Sequence, residues 1–472
     1  MKTYIKMIKN VMCLALLLLT TACSIDDIKP INQLTQENTI RDEASAQQVL
    51  NGIYDLGREF DLNSFPLYLA AYGNEGIITG QLNGGQGYNT NEVPVNNQVL
   101  ANLYNAHYKI INSCNFLIQG LEAGDAVGIS DERKLEMLSE AKFQRAFAYF
   151  NLLRYFGQFY DLNSTYGVVL RTEFSTELVA APRNSVQEVY NLIQSDLQFA
   201  AENGPVFVEH FYSGSLAAKA LLSKVELYMG NYSTAATLAD EVINNTEGYA
   251  LEGNYSDIFL NSFNSSEVIF APFSGSGQEN GSSMDLIIRT SYSQNLESTA
   301  DAQVGSDSDG DLSGTGTNFD PRFSFAYSDA TQGQNGQGKY PFGNTSNSQG
   351  NTLYHLRLAE IYLVFAEAET RRPDGDALLA LERLNALRLR VSVDPKSFSD
   401  VPTLLEDIRQ EKLLELFFEN GEPWFDVVRY DRLGNLDAST VKATIVSENQ
   451  FILPIPAQVR IGNTAVVQNP GY

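Results

Sequence analysis

The sequence predicts a mostly α-helical protein in which paired helices form a scaffold carrying long loop-rich insertions. Three observations point there. Gly230-Asn231-Tyr232-Ser233-Thr234-Ala235 reproduces the G-x-Y-x-x-A turn of a tetratricopeptide repeat, with apolar helical patterns on either side from Ser215 to Asn244. Ile408, Leu413, Leu414, Leu416, Phe417 and Phe418 make an apolar stripe at helical spacing. Residues 275–351 are rich in Gly, Ser, Asn, Gln and Asp with scattered Tyr and Phe. Such a segment cannot bury a core of its own and is expected to drape over the helices.

The chain starts with a targeting segment, residues 1–22. Lys2, Lys6 and Lys9 precede a nine-residue apolar run, Val11 to Leu19, which is too short to span a bilayer at about 20 residues. Leu19-Thr20-Thr21-Ala22-Cys23 resembles a bacterial lipobox, so cleavage before Cys23 and lipidation of its thiol would leave an anchored protein. Cys13 then departs with the signal and Cys114 stands alone, which rules out an intrachain disulfide in the mature form. The net charge of −25 becomes −28 once the three signal lysines are removed. That balance argues against nucleic acid or an anionic membrane surface as partner.

After a polar tether at 28–38, helical patterning begins near Asp42. It gives way to a Gly- and Asn-rich loop at 74–98, of a length that in compact domains is usually functional. Helices are expected again at Leu103 to Gln119, Leu135 to Phe156, and from Pro182 to Ala201. Ser215 to Asn244 supplies the repeat pair, whose small Ala235 and Ala239 let the second helix lie close to the first. Leu353 to Thr370 and Ala377 to Arg390 form a similar pair around Pro373-Asp374-Gly375. Arg357, Glu360 and Glu367 among their apolar positions suit solvated or interhelical ion pairs. Gly421 and Pro423 are expected to stop the Ile408 helix, and Trp424, the sole tryptophan, reads as a packing anchor. The domain organisation is thus a signal at 1–22, an N-terminal region at 23–214 with the 74–98 loop, and a C-terminal region at 215–472 with the 275–351 insertion.

Motifs for chemistry are missing. His107, His210 and His355 stand far apart, without H-E-x-x-H spacing, and His107 and His355 read as surface or core-edge residues. The sequence has no G-x-S-x-G nucleophile elbow. Gly333 to Lys339 matches most of a P-loop, but Tyr340 occupies the magnesium-binding Ser/Thr position and no strand or apolar helix flanks it. Asp307, Asp309 and Asp311 offer clustered carboxylates to calcium, yet Asn318 stands where an EF-hand needs its bidentate Glu, which favours a solvated acidic loop. No pair of acids is singled out for glycoside hydrolysis.

Ile408 to Tyr430, IRQEKLLELFFENGEPWFDVVRY, resembles the signature of the SusD/RagB family of outer-membrane nutrient-binding lipoproteins. Further resemblances follow in the family's order. They comprise AKFQRAFAYFNLLRYFG ending at Gly157, the Leu353–Arg390 helices, Asp320-Pro321-Arg322-Phe323, Lys339-Tyr340 and the terminal QNPGY. Ser24-Ile25-Asp26-Asp27 after Cys23 resembles the surface-export signal of the family's hosts. The resemblance implies a non-catalytic, lipid-anchored lid that faces the cell exterior. It would capture an oligosaccharide for a TonB-dependent β-barrel transporter of the SusC type, with no cofactor. A peptide ligand and a scaffold that binds only proteins remain alternatives. Glycan capture needs aromatic faces for C–H surfaces plus amide and guanidinium groups for hydroxyls. The two insertions supply these as Tyr72, Asn74, Tyr88, Asn89 and Asn91, and as Arg289, Tyr292 and Gln294. Tyr88 and Tyr292 are expected to form an exposed platform.

Overall fold

A computed structural model describes residues 39–275 (except 81, 83 and 84), 290–303, 320–326, 338–342 and 351–472. The expected signal segment, Cys23, the whole 28–38 tether, Arg289, the Asp307, Asp309 and Asp311 cluster and Gly333 lie outside the described residues.

The fold is mostly helical, as expected. The first helices are α1 (Glu43–Leu56) and α2 (Phe60–Tyr72), followed by α3 (Gln98–Ala123) and α4 (Asp131–Phe156). Asp42 opens α1 with a capping box, its carboxylate accepting from the Ser45 N–H at 2.8 Å. Then come α5 (Val186–Asn203), α6 (Ser215–Met229) and α7 (Tyr232–Ile243), with α8 (Tyr255–Leu260) after them. Gly230 takes a left-handed φ of 81° to end α6, and Ala235 and Ala239 of α7 are fully buried against it. Each of α3 to α7 packs against its predecessor, the antiparallel stacking of a repeat scaffold.

The chain then leaves the stack for more than a hundred residues and returns with α11 (Leu358–Arg371), which packs directly on α7. Between them lie β2 (Val268–Phe270), β3 (Thr290–Tyr292), α9 (Gln294–Asp301) and α10 (Pro321–Ala326). A two-residue strand, β4 (Leu356–Arg357), pairs antiparallel with β2 just before α11, so this helix starts later than its apolar pattern indicates. Next are α12 (Ala377–Arg390), α13 (Val401–Leu416), α14 (Glu422–Arg432), α15 (Ala438–Val441) and α16 (Ala457–Gly462). The described parts of the insertion do drape over the scaffold. Tyr292, Leu296, Phe323, Ala326 and Tyr340 bury themselves against Leu413, Leu414, Phe417 and Phe418.

A second helix boundary also differs from expectation. α13 ends at Leu416, and Gly421 and Pro423 open α14 instead of closing α13. Proline is tolerated in a first helical turn, where its missing N–H leaves no hydrogen bond unmade. The link between the helices bends at Phe418, whose φ of 59° is held by its N–H donating to Glu75 Oε2 at 2.7 Å. Trp424 is 2% exposed, a packing anchor as read from the sequence.

The charges of the signature stretch are buried and paired. Glu411, Glu415 and Glu419 follow one another at four-residue spacing, so they rise along one face. Glu411 and Glu415 accept from Arg322 Nη1 at 2.5 and 3.0 Å, and Glu419 from Lys339 Nζ at 2.7 Å. Arg357 bridges Glu267, Glu415 and Glu419, Arg390 bridges Glu267 and Glu415, and Arg388 reaches Glu411. With Asp320 on Arg322, five acids meet five cations. Lys339, at the end of the P-loop-like run, is thereby a buried structural lysine. A second group joins Glu367 and Asp426 to Lys412, Arg371 and Arg429. Arg357, Glu360 and Glu367 all serve as interelement ion pairs, none of them solvated.

Candidate functional site

The two stretches singled out for binding meet in space. Strand β1 (Gly76–Ile78), inside the 74–98 loop, pairs antiparallel with β3, placing Gly76 opposite Tyr292 and Ile78 opposite Thr290. A side chain at Gly76 would collide with the Phe418 ring, so the ribbon lies directly on the signature stretch. The Asn89 amide closes the ribbon's other edge, accepting from the Ile78 N–H and donating to the Ile78 carbonyl, both at 3.0 Å. Asn74 donates to the Val441 carbonyl at 2.6 Å, and its own carbonyl accepts from Ser293.

The expected aromatic platform is not there. Tyr88 and Tyr72 are fully buried and Tyr292 is 4% exposed. Tyr88 sits among Phe65, Tyr68 and Tyr72, with ring centroids 5.0 to 6.3 Å away. Tyr72 donates to the Gln450 carbonyl, and Tyr292 packs on Phe323 while donating to the Ala326 carbonyl at 2.9 Å. The physical reason is area. An exposed tyrosine forgoes the burial of a large ring, and the loop's glycines and asparagines let the backbone turn it inward. Asn91 is also structural, since its buried amide donates to the Tyr72 carbonyl and accepts from Thr444. Lys442 ties the junction, its ammonium reaching the carbonyls of Ala71, Tyr72 and Tyr88, with burial lowering it to about 7. Of the candidates, Gln294 is solvent-exposed and Asn74 and Asn89 are half-buried.

A cavity of about 350 Å³ lies elsewhere, between α1, α2, α3, α4, the segments 211–212, 270–273 and 353–355, and Asn420. Its more exposed lining comes from the C-terminal end of α1 and from Phe211, Tyr212 and Phe273. There the Tyr54 and Tyr212 rings meet edge to face at 5.1 Å, and Phe211 lies 5.2 Å from Phe273. Deeper in, Phe147 and Phe270 flank His355, at 4.9 Å edge to face and 5.7 Å stacked. The buried face of α4 supplies Gln144, Phe147, Ala148, Asn151, Arg154 and Tyr155, and α3 supplies Leu103, His107 and Ile110.

The polar groups here are unusually free. His107 Nδ1 lies 2.8 Å from the Leu103 carbonyl, so Nδ1 carries the proton and Nε2 is left as acceptor. Among the described residues, the His355 imidazole, the Tyr155 hydroxyl, the Asn151 Nδ2 and the Gln144 amide nitrogen have no hydrogen-bond partner. Both imidazoles are neutral: burial, with Arg154 nearby, brings His107 down to about 4, and burial with Lys224 and Arg154 brings His355 to about 3. The neighbouring charges are spoken for. Burial opposes the Arg154 charge, but Glu422 holds it, and Lys224 sits 2.7 Å from Glu360 and 2.5 Å from Glu422. Sequence reasoning missed this site because its residues are spread over four helices and the segments between them. The available signal was on α4, where the amides Gln144 and Asn151 fall seven residues apart on the face that also carries Phe147 and Tyr155. No group of three potential metal ligands occurs among the described residues.

Comparison with known proteins fits this architecture. Residues 274–472 match the SusD family profile, and residues 26–227 match the profile described as "Starch-binding associating with outer membrane". SusD-like protein P2 of Formosa agariphila is 25% identical over 97% of this chain and 98% of its own. A SusD-like protein of Bacteroides ovatus is 25% identical over 73% of this chain and 68% of its own. Among solved structures, a SusD superfamily protein from Bacteroides thetaiotaomicron superposes with a TM-score of 0.73 at 24% identity, covering 90% of this chain and 99% of that one. A structure titled "Laminarin binding SusD-like protein" gives 0.70 at 23% identity, covering 92% and 100%. The chain belongs to the SusD/RagB family.

Proposed function

We propose that this protein is a glycan-binding lipoprotein of the outer membrane, anchored through Cys23 and facing the cell exterior. It captures an oligosaccharide and passes it to a TonB-dependent transporter of the SusC type without making or breaking bonds. The observation that carries the binding reading is the cavity: aromatic walls beside amide, phenol and imidazole groups that lack partners among the described residues, the chemistry that hydroxyl-rich rings require. Family membership and the relative titled as laminarin-binding support it. The lipobox-like run at Leu19–Cys23 and the acidic residues after it support the anchor.

The test is a glycan array with affinity gels, using soluble protein from Ser24 to Tyr472. Retention by at least one glycan is expected. Retention by none, with peptide mixtures captured instead, overturns the reading in favour of a peptide binder.

A further inference from the structure

We infer that the α1/α3/α4 cavity receives the terminal residue of a neutral oligosaccharide end-on, the chain leaving past Tyr54, Tyr212 and Phe273. The inference rests on the glycan-binding reading and specifies its site and ligand class. Three observations carry it. At about 350 Å³ the cavity is at the small end of ligand pockets, room for one or two rings and not for a chain passing through. Its most exposed lining gathers at the α1 end, where Asn51 and Asp55 are exposed, and at the half-buried residues 211–212 and 272–273. Leu62, Phe147 and His355 are half-buried too, whereas the α3 lining, the rest of the α4 lining, Leu353 and Asn420 are buried, which makes a mouth at the α1 end and a floor on α3 and α4.

The third observation is chemical. The inner wall offers both donors and acceptors that have no partner among the described residues: His107 Nε2 to accept, Asn151 Nδ2 to donate, the Tyr155 hydroxyl to do either. A hydroxyl does both at once and fits such a mixed set. A carboxylate only accepts, and it would enter a space whose cations are already engaged, Arg154 on the floor by Glu422, Lys224 behind it by Glu360 and Glu422, and Arg58 at the mouth by Asp55 at 3.4 Å. Burying that extra charge without a free counter-ion is unfavourable. The site therefore selects a neutral sugar over its uronate.

The chain's own histidines report on this. Of three in the sequence, His107 and His355 line the cavity, while His210 lies outside it against the Val268 carbonyl. The experiment records imidazole NMR signals of the soluble protein, Ser24 to Tyr472. The probes are methyl α- and β-glycosides of glucose, galactose, mannose, xylose and fucose, with methyl glucuronide and methyl galacturonide. At least one neutral glycoside is expected to shift His107 and His355 together and leave His210 in place. It should also displace an array-positive glycan, and the matching uronate should bind at least about tenfold more weakly, a loss of about 1.4 kcal/mol. Ala148→Phe, which fills the cavity, should abolish the shifts. Tyr212→Ala at the half-exposed mouth, a milder change, should weaken them by up to about tenfold.

Glycan retention on the array without any His107 or His355 response overturns the cavity assignment while leaving the glycan reading intact. A response without displacement of the glycan overturns end-on capture, and a tighter uronate overturns the neutral class. A blank array with silent histidines defeats both readings.

Discussion

Tyr72 and Trp424 meet edge to face, ring centroids 4.9 Å apart and planes at 84°, which fastens the end of α2 to the first turn of α14. The loop that follows Tyr72 is thus anchored on the signature stretch of the C-terminal half. Trp424→Ala removes one partner of that contact and opens a cavity against Tyr72 and Phe451. A loss of about 3–5 kcal/mol is expected in denaturant melts, the range for deleting a large buried aromatic. As the sole tryptophan, Trp424 should emit blue-shifted and stay unmoved by glycan. It does not line the cavity, so a ligand-dependent change would place the site beside it instead.

Tyr88 carries a different expectation. Among the described residues its buried hydroxyl has no partner, which costs roughly 1–3 kcal/mol for a polar group taken from water. Tyr88→Phe removes that hydroxyl and keeps the ring among Phe65, Tyr68 and Tyr72. Thermal unfolding should show it equal to or more stable than the parent, while Tyr88→Ala should fall by about 3–5 kcal/mol. A destabilised Phe variant would mean that the hydroxyl has a partner after all.

The fold was legible because it follows periodicity and turn chemistry. The Gly230 turn, the Ala235 and Ala239 contacts and the Ala377–Arg390 helix all stand where local pattern puts them. The two loop-rich stretches meet through the pairing of β1 with β3, but their tyrosines turn inward instead of outward. Tyr72, Tyr88 and Tyr292 sit next to glycines, asparagines and serines, and local composition does not say which way a ring turns when a core lies within reach. Nor does it say that Glu411, Glu415 and Glu419 are buried, since their cations come from residues as distant as Glu267's partner Arg357 and the insertion's Arg322. The cavity is a tertiary object, assembled from α1, α2, α3, α4 and several connecting segments, and only the face of α4 hinted at it.

The ion-pair cluster gives a sharper test of what holds the insertion. Glu415 accepts from Arg322, Arg357 and Arg390; burial opposes its charge, but these three cations hold its carboxyl well below the usual range. Glu415→Gln leaves three buried guanidiniums short of a counter-charge and should cost about 3–5 kcal/mol. Because its folded value is depressed, the stability Glu415 contributes is complete above the ordinary carboxylate value of 4.5 and is lost as pH falls below it. The gap between parent and variant in urea melts should therefore be constant from pH 6 to 8 and narrow below about 4.5. A gap that stays unchanged in acid would remove the charge from the explanation.

Anchoring is tested by Cys23→Ala, which removes the thiol that lipidation needs. One acyl chain binds membranes only marginally, and a mature lipoprotein carrying several is held firmly. Detergent phase separation should move the variant wholly to the aqueous phase. Retention with the membrane fraction would show that something other than Cys23 holds the protein there.

The last expectation concerns acid and the cavity together. His107 is buried with its value brought down to about 4, whereas an unfolded histidine titrates near 6.5. Its folded value is lowered, so between those limits the unfolded chain takes up the proton more readily. The stability tied to neutral His107 is thus complete above pH 6.5 and is lost as pH falls from 6.5 to about 4. His107→Asn keeps a donor for the Leu103 carbonyl and does not titrate. Its stability relative to the parent should improve over that window by up to a few kcal/mol, and stay flat above pH 7. Glu75 and Glu140, raised to about 7 by burial, weaken the fold in the opposite direction as pH rises, but they do so equally in both proteins. Comparing the two proteins at each pH therefore isolates the imidazole. Ligand binding by the parent should also hold steady from pH 8 down to 5, since His107 and His355 keep their neutral form throughout. A fall in affinity centred near 6.5 would mean that these imidazoles are solvated and that the cavity is open water.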